Sequence, residues 1–309
     1  MLQKWKRISK LVDPSKTEIW WLSSHAGGTC ALKRDDSDFY DIYISGRDKQ
    51  NRSRIGHAIW SIKEPDKLQK IDKDPCLELG SIGSFSENGT SYPYVLKYEK
   101  KYYMFFTGWK LGKTVPFYNN LGLAISDRPE GPFKYLSKAP IFSLSNNDPY
   151  GIGSCFVKYS KIDSKFILYY TSFRGFKKKN KTVLLRYCIK STKSDLIDKW
   201  EGKTNFVIKN SSDDNDIICK PTIVDDEMLY CQRSNDSSYK IYYANFRNNK
   251  WHPRQKPIEL IGPTDNWDKY EQCYPFMIKS GSSTYLIYSG NNYGKGGLGI
   301  AKKIKSDEF

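Results

Sequence analysis

Short runs of Tyr, Ile, Val and Phe alternate along the chain with clusters of Gly, Asn, Asp and Ser, and stretches with helical periodicity are scarce. Apolar runs of this length, bounded by turn-forming residues, are typical of β-strands joined by short loops. The pattern of hydrophobic and polar positions therefore predicts an all-β protein.

The runs recur in a fixed order. One strand ends in Ser-Gly or Thr-Gly at 41–46, 103–108 and 285–290, and degenerate copies stand at 166–172 and 228–232. A second strand follows each of these, and a third strand, often opened by Pro or Gly, precedes it. The copies are about 60 residues apart, which is the length of an antiparallel unit of three to four strands.

Five copies of such a unit predict a five-bladed β-propeller with a central funnel, because one unit cannot bury its apolar faces alone whereas radially packed units can. The copies use nearly the whole chain, so we expect one domain over residues 1–309. The segments 5–12 and 19–22 are candidates for an outer strand that closes the ring. A β-sandwich of many short strands is the alternative fold. The blades are expected near residues 23–62, 90–127, 150–192, 217–247 and 271–304.

The composition excludes several classes of protein. With 39% hydrophobic and 15% aromatic residues, the chain has too much apolar mass for a disordered protein. The longest apolar runs, such as 166–170, are strand-sized, so no membrane span is expected, and the N-terminus lacks the apolar stretch of a signal peptide. The 7 Cys are scattered without metal-binding spacing. These features predict a cytoplasmic protein with reduced thiols and no metal site built on Cys.

The net charge is +16. Most Lys residues are spread over turns instead of forming a groove with aromatic residues, which argues against nucleic acid as a partner. The one dense run, at 177–181, is interpreted as a solvated hairpin tip. A diffuse positive field attracts phosphorylated or otherwise anionic ligands, so nucleotide sugars and anionic glycans stay open as partners.

Residues that open the inner strands of a propeller, and the loops beside them, converge on one funnel and are the candidates for a site. Each of them also has a structural interpretation, such as a turn for Asp148 or a hairpin ion pair for Arg47 and Asp48. The candidate catalytic residues are Glu271, Glu87 and Asp148. The candidate substrate-binding residues are His25, Arg47, Asp48, Trp109, Arg174, Lys220, Arg233, Tyr274, Asn291 and Asn292.

Three segments carry a family resemblance: 45–56, which begins Ser-Gly-Arg-Asp, 105–126, which begins Phe-Phe-Thr-Gly-Trp, and 274–301, which contains Tyr-Ser-Gly-Asn-Asn-Tyr-Gly. They resemble the five-bladed propellers of the family 43 and family 130 glycosidase group, including uncharacterised relatives among bacterial surface-polysaccharide biosynthesis proteins. The resemblance covers nearly the full length. It implies a carbohydrate-active enzyme that cleaves or transfers a glycosyl or sugar-phosphate group, with a sugar, sugar phosphate, nucleotide sugar or anionic glycan as partner.

The chain departs from family 43, which the resemblance implies would place three carboxylates in the funnel. Hydrolysis with a bound water needs at least two, since one protonates the leaving oxygen while the other activates the water. The first inner strand, 25–31, contains no acid. Family 130 propellers use one acid with cations that hold phosphate, and Arg is suited to grip a phosphate through paired hydrogen bonds. The candidates for such a cluster are Arg47, Arg174, Arg233, Lys220 and His25.

Two functions stay open on the sequence. The first is an enzyme with Glu271 as proton donor or base and Glu87 or Asp148 as second acid. The second is a non-catalytic glycan- or nucleotide-sugar-binding propeller that acts as a scaffold in polysaccharide biosynthesis. No cofactor is predicted, and a divalent cation in the funnel is left open because Asp and Asn oxygens are abundant.

Overall fold

The protein is nearly all β, as predicted. The computed structural model describes residues 2–209, 216–234 and 237–304, in which the strands form three sheets. The chain begins with strand β1 (Lys4–Val12), which belongs to the third sheet, and continues through short 3-10 turns at Pro14–Lys16 and Trp20–Leu22.

The first sheet has eight strands that form two antiparallel units. The units are joined by the parallel bridge between Ser53 and Gly89. The first unit contains β2 (Ala26–Lys33), β3 (Phe39–Arg47), β4 (Ser53–Ser61) and β5 (Glu64–Leu77). The second unit contains β6 (Gly89–Tyr98), β7 (Lys101–Leu111), β8 (Phe117–Ser126) and β9 (Lys134–Tyr135).

The second sheet repeats this arrangement with eight further strands. Its two units are joined by the parallel bridge between Tyr187 and Ile217. The first unit contains β10 (Ile152–Ser160), β11 (Lys165–Lys179), β12 (Thr182–Ser194) and β13 (Asn205–Ile208). The second unit contains β14 (Asp216–Val224), β15 (Glu227–Ser234), β16 (Lys240–Arg247) and β17 (Lys250–Pro253).

The third sheet joins the two ends of the chain. It contains β18 (Glu259–Ile261), β19 (Cys273–Ser280), β20 (Ser283–Ser289) and β21 (Leu298–Lys303), with the short helical turn α1 (Asn291–Gly294) between the last two strands. Strand β1 pairs antiparallel with β21 and parallel with β18. The prediction of a closing strand at 5–12 is thus confirmed. The alternative prediction, a closing strand at 19–22, was wrong because Trp20–Leu22 forms a 3-10 turn instead of pairing in a sheet.

The first strands of the antiparallel units contact one another in a closed ring. Strand β2 contacts β6, β6 contacts β10, β10 contacts β14, β14 contacts β19, and β19 contacts β2. We call these five strands the inner strands. The outermost strands β5, β9, β13 and β17 lie beyond the ranges expected for the blades.

Every inner strand contains one extra residue at the same place. Between Gly27 and Cys30, for example, β2 advances three residues while its partner β3 advances two, and the other inner strands show the same shift. Such a bulge bends the strand and redirects a side chain. The extra segment holds a residue in the left-handed region in four of these strands: Gly28, Tyr92, Lys220 and Tyr274.

Two repeated sequence features have a packing reason. Ile42, Tyr43 and Ile44 of β3 are all fully buried because both faces of the sheet are covered, so the strand reads as a continuous apolar run. The glycine in the second strand of the repeat leaves room for an aromatic ring, since a Cβ at Gly56 would lie 2.1 Å from the Trp21 ring. The repeat seen in the sequence is therefore a repeat of core contacts.

Candidate functional site

A pocket of about 440 Å³ opens where the inner strands begin. Its wall also includes the ends of the β3–β4, β7–β8 and β11–β12 hairpins. No Asp or Glu is among the described residues that line it. The side chains that line it with an ionisable or cationic nitrogen are His25, Arg47 and Arg233. The aromatic rings in the wall are those of Tyr92, Trp109, Phe117, Phe173, Tyr187, Tyr239, Tyr274 and Tyr293.

The structure brings together five of the residues selected from the sequence. They are His25, Arg47, Trp109, Arg233 and Tyr274, and all of them line the pocket. The others, which do not line it, are Glu271, Glu87, Asp148, Asp48, Arg174, Lys220, Asn291 and Asn292.

One side of the pocket is formed by Arg47 and Trp109. The Arg47 Nη1 donates to Asn51 Oδ1 at 2.8 Å, and its guanidinium lies 6.0 Å from the Trp109 ring centroid. The indole Nε1 of Trp109 donates to Ser53 Oγ at 2.6 Å. These contacts fix a cation and an aromatic ring side by side, an arrangement that suits an anionic group on a ligand whose apolar face stacks on the indole.

A second cation lies among tyrosines. The guanidinium of Arg233 is 4.9 Å from the ring centroid of Tyr239 and 6.0 Å from that of Tyr293. Its Nη1 donates to the carbonyl oxygens of Ser234 and Ser237, at 3.3 and 3.4 Å. Contact with ring faces and carbonyl oxygens holds the guanidinium at the pocket wall, where a positively charged group suits an anionic ligand.

His25 stands in the pocket as a neutral imidazole. Its Nδ1 is 2.8 Å from Ser24 Oγ. Burial, together with the positive charges of Arg47 and Lys295, lowers the pKa of His25 to about 4. At neutral pH the ring therefore carries no charge and offers a hydrogen-bonding nitrogen to a ligand.

Two tyrosines from the bulges of different inner strands meet in the pocket. The ring centroids of Tyr92 and Tyr274 are 5.0 Å apart with the rings at 72°. Burial raises the pKa of both phenols. Tyr92 was missed in the sequence, although it stands before Pro93 just as Tyr274 stands before Pro275. Aligning the residue before each repeated proline was the signal that could have found it.

Glu271 is buried behind the wall of the pocket, with 5% of its surface exposed. Its Oε1 accepts the backbone N–H of Tyr239 at 3.3 Å, and its Oε2 accepts that of Tyr293 at 2.8 Å. The rings of both tyrosines line the pocket. The carboxylate thus joins two loops that carry pocket residues, and both of its oxygens are already engaged.

Asp148 is fully buried in a polar cluster away from the pocket lining. Its Oδ2 accepts from the Tyr170 hydroxyl at 2.9 Å, while Oδ1 accepts from Ser172 Oγ and, at 3.0 Å, from Lys190 Nζ. A buried carboxylate needs such partners to offset its loss of hydration. These contacts anchor the segment before β10 to β11 and β12.

Asp48 and Glu87 also accept hydrogen bonds within their own loops. Asp48 is buried, and its Oδ2 accepts from Nε of Arg52 at 2.9 Å and of Arg54 at 3.3 Å. Glu87 is half-buried, and its Oε2 accepts the backbone N–H of Gly83 at 2.7 Å. Both carboxylates shape the loops at the pocket end of the first sheet.

Lys220 occupies a bulge but points below the pocket, where it is 1% exposed. Its Nζ donates to the carbonyl oxygen of Thr29 at 3.3 Å and lies 5.8 Å from the Phe276 ring centroid. Burial lowers the pKa of its amine. The thiols of Cys30 and Cys155 lie close to this amine. Lys220 therefore belongs to the packing at the centre of the ring.

The remaining candidates lie around the pocket rather than in it. Asn291 Oδ1 accepts the backbone N–H groups of Tyr270 and Glu271, each at 2.9 Å, so this side chain supports the loop that carries Glu271. Asn292 is exposed in the α1 turn. Arg174 is half-buried, and its carbonyl oxygen accepts from Arg186 Nη2 at 3.3 Å.

Within the described ranges, no group of three or more His, Cys, Asp or Glu side chains is placed to hold a metal ion. All 7 Cys residues are buried free thiols. The part of the chain that the structure describes contains no helix with the length and apolarity needed to cross a bilayer.

Comparison with solved structures bears on the fold. A thermostable family-43 glycoside hydrolase superposes with a TM-score of 0.68 at 18% identity, over 93% of this chain and 92% of the other. A structure described as belonging to the GH130 family of mannoside phosphorylases, which contains hydrolases of β-1,2-mannosidic linkages in Candida mannan, gives a TM-score of 0.66. The two share 15% identity over 98% and 94% of the chains. At these identities the likeness concerns the fold alone.

Comparison of sequences gives full-length relatives. Uncharacterised proteins of two strains of Mycobacterium tuberculosis, CDC 1551 and H37Rv, are each 30% identical over 302 residues, which is 96% of this chain and 98% of each relative. No protein-family model matches the chain. The chain therefore belongs to one family with these mycobacterial proteins, and its fold is that of the family 43 and family 130 glycosidase-like propellers.

Proposed function

We propose that the protein binds an anionic carbohydrate, such as a sugar phosphate, a nucleotide sugar or an acidic glycan, in this pocket. The observation that carries the proposal is the lining itself, with Arg47 and Arg233 set among aromatic rings and no carboxylate among the described lining residues. Sugar rings stack on aromatic faces, and guanidinium groups bind phosphate or carboxylate through paired hydrogen bonds. A neutral sugar would make no use of the charge of the two guanidinium groups.

The fold interpretation that goes with this function is a five-bladed propeller formed by residues 1–309 as one domain. Its support is the closed ring of contacts among the inner strands and the bulge that each of them carries at the same place. In such a ring the pocket is the funnel on the axis, where each unit contributes side chains to one ligand. The seven reduced thiols support a cytoplasmic location. The sequence resemblance supports a role in bacterial surface-polysaccharide metabolism.

A second candidate is an enzyme that cleaves or transfers a glycosyl or sugar-phosphate group. It is favoured by the fold shared with glycoside hydrolases and a phosphorylase family, and by Glu271, which stands directly behind the pocket wall. In this mechanism Arg47 and Arg233 would hold a phosphate, and Glu271 would act as the acid or base. The engagement of both Glu271 oxygens by backbone N–H groups makes binding the better supported function.

The binding proposal is tested by calorimetric titration with mannose 1-phosphate, UDP-N-acetylglucosamine and the uncharged disaccharide maltose. We expect saturable binding of at least one of the two anionic compounds and weaker binding of maltose. The R47Q and R233Q variants should each weaken anion binding by about 10- to 100-fold, since each removes a charge-assisted hydrogen bond. The matched control is R247Q, which removes an exposed arginine outside the pocket.

Equal affinity for maltose and for the anionic sugars, or unchanged affinity in both pocket variants, would refute the proposal. Release of sugar or phosphate during the same titrations, followed by chromatography, would instead support the enzyme. An enzyme that uses Glu271 as acid or base would lose product formation in E271Q while keeping its affinity for the ligand.

A further inference from the structure

Two cysteines stand opposite each other on neighbouring strands, Cys219 on β14 and Cys231 on β15. Opposed residues of antiparallel strands share a face of the sheet, with Cα atoms about 4.5 or 5.5 Å apart. Disulfides span Cα separations of about 4.4 to 6.8 Å. The pair can therefore form a disulfide while the strands stay paired. In the described sheets no other two cysteines are opposed in this way.

One thiol of the pair can be reached from the pocket. Cys219 is 7% exposed and is the one cysteine among the described residues that line the pocket. Cys231 is fully buried beside it, where its Sγ accepts the backbone N–H of Tyr274 at 2.8 Å. A small oxidant that enters the pocket therefore meets Cys219 first and finds Cys231 next to it.

The surroundings of Cys219 favour its thiolate. The Cys231 thiol and the Tyr239 hydroxyl lie within hydrogen-bonding reach of the Cys219 sulfur, the hydroxyl oxygen at 3.6 Å. These hydrogen bonds, with the positive charge of Arg233, lower the pKa of Cys219 although burial opposes them. Burial raises the pKa of the other six thiols. Thiolates beside a cation and within reach of solvent are reactive, whereas thiols buried in apolar surroundings are inert.

We propose that Cys219 and Cys231 are a peroxide-sensitive dithiol in the pocket wall, which closes to a disulfide on oxidation and opens again on reduction. The Cys219 thiolate attacks one oxygen of hydrogen peroxide, the O–O bond breaks, and the other oxygen leaves as hydroxide and takes up the Cys219 proton. The Cys231 sulfur then attacks the sulfur of the sulfenic acid, and the S–O bond breaks. The departing hydroxide takes the Cys231 proton and leaves as water. Both thiols are thus oxidised to one disulfide while one peroxide is reduced to water.

The dithiol does not rest on the proposed function, because a peroxide and not a sugar is its reactant. All 7 cysteines are free thiols, and in a reducing compartment a disulfide forms only transiently, under an oxidant. Closing the disulfide turns the Cys219 sulfur toward Cys231 and away from Tyr239. The ring of Tyr239 lies 4.9 Å from the Arg233 guanidinium, so oxidation acts on the cationic side of the pocket wall.

The test is oxidation of the full chain by hydrogen peroxide, followed by alkylation of the remaining thiols, digestion with trypsin and mass spectrometry. Pro221 follows Lys220 and prevents cleavage there, so one tryptic peptide, 210–233, carries both cysteines. We expect this peptide to lose its two thiol hydrogens and to escape alkylation. In the folded chain this should happen at least about tenfold faster than oxidation of any other cysteine. Dithiothreitol should restore both thiols, and the preference should disappear in urea.

Three variants identify the two sulfur atoms. C231S should stop at the sulfenic acid of Cys219, which dimedone traps, and C219S should form no disulfide in this peptide. The matched control is C273S, which removes a buried thiol of the same apolar cluster that stands opposite Ser289 instead of a cysteine. We expect C273S to form the disulfide at the unaltered rate.

A disulfide that joins Cys273, earlier oxidation of another cysteine, or persistence of both thiols in the folded chain would overturn the proposal. The unaltered chain gives each of these results by itself, so the outcome does not depend on whether every variant folds. Melting temperatures verify that the variants compared with it are folded.

Discussion

Replacing Glu271 with Gln separates a structural role of this carboxylate from a catalytic one. In the structure Oε1 accepts the N–H of Tyr239 and Oε2 accepts that of Tyr293. Gln keeps the size of the side chain and one acceptor oxygen. Its amide group, however, is a donor and would face a backbone N–H, which is also a donor. One buried N–H therefore loses its partner.

The expected loss of stability in E271Q follows from these two hydrogen bonds. A hydrogen bond to a charged group contributes about 1.5 to 3 kcal/mol, and E271Q removes one of two. At about 2 °C per kcal/mol for a chain of this length, the melting temperature should fall by about 3 to 6 °C. The loop whose N–H loses its partner, at Tyr239 or at Tyr293, is expected to move. Because the Tyr239 and Tyr293 rings flank Arg233, affinity for an anionic sugar should fall as well.

The assay combines thermal unfolding with calorimetric titration of UDP-N-acetylglucosamine or mannose 1-phosphate. E87Q is the control, since Glu87 accepts a backbone N–H in a loop outside the pocket lining, and its melting temperature should change by less than about 1 °C. A melting temperature and affinity that E271Q leaves unchanged, with loss of turnover, would refute the structural role and assign the carboxylate to catalysis.

Two further predictions concern stability. D148N should lower the free energy of unfolding by about 3 kcal/mol or more in urea titrations, because it leaves the buried Lys190 amine without its counter-charge; an effect below about 1 kcal/mol would contradict this assignment. Burial opposes ionisation of Asp41, but hydrogen bonds from His57 and Arg34 outweigh it and hold the pKa of this carboxyl below its usual 3.8. A lowered folded pKa stabilises the fold above pH 3.8 and loses that contribution as the pH falls below it, so acid unfolding should move to higher pH in H57N, and an unmoved acid transition would count against this network.

Much of the architecture could be predicted from the sequence because the repeated units share a strand that ends in Ser-Gly or Thr-Gly and a glycine that admits an aromatic ring. Two of the outermost strands, β9 and β13, could not be predicted. β9 is Lys134–Tyr135 and β13 is Asn205–Ile208, which are too short to show an alternating pattern. Their pairing is decided by the neighbouring strand rather than by their own residues.

The site was predicted in part. Arg47, Trp109 and Arg233 stand at the pocket ends of β3, β7 and β15, so their place in the repeat was sufficient. Sequence position does not say which way a side chain points. The orientations of Glu271 and Asp148 depend on backbone N–H groups and hydroxyls from distant segments, which no local pattern reveals.

The shared bulges of the inner strands separate the backbone that holds the ring together from the side chains offered to its centre. The left-handed residue of the bulge has no side chain at Gly28, a phenol at Tyr92 and Tyr274, and an amine at Lys220, and the backbone φ angle is nearly the same in all four. Pairing resumes normally after each bulge. A substitution at one bulge can thus alter the chemistry at the centre of the ring while the register of every strand is kept, so evolution or a designer can vary this centre one strand at a time.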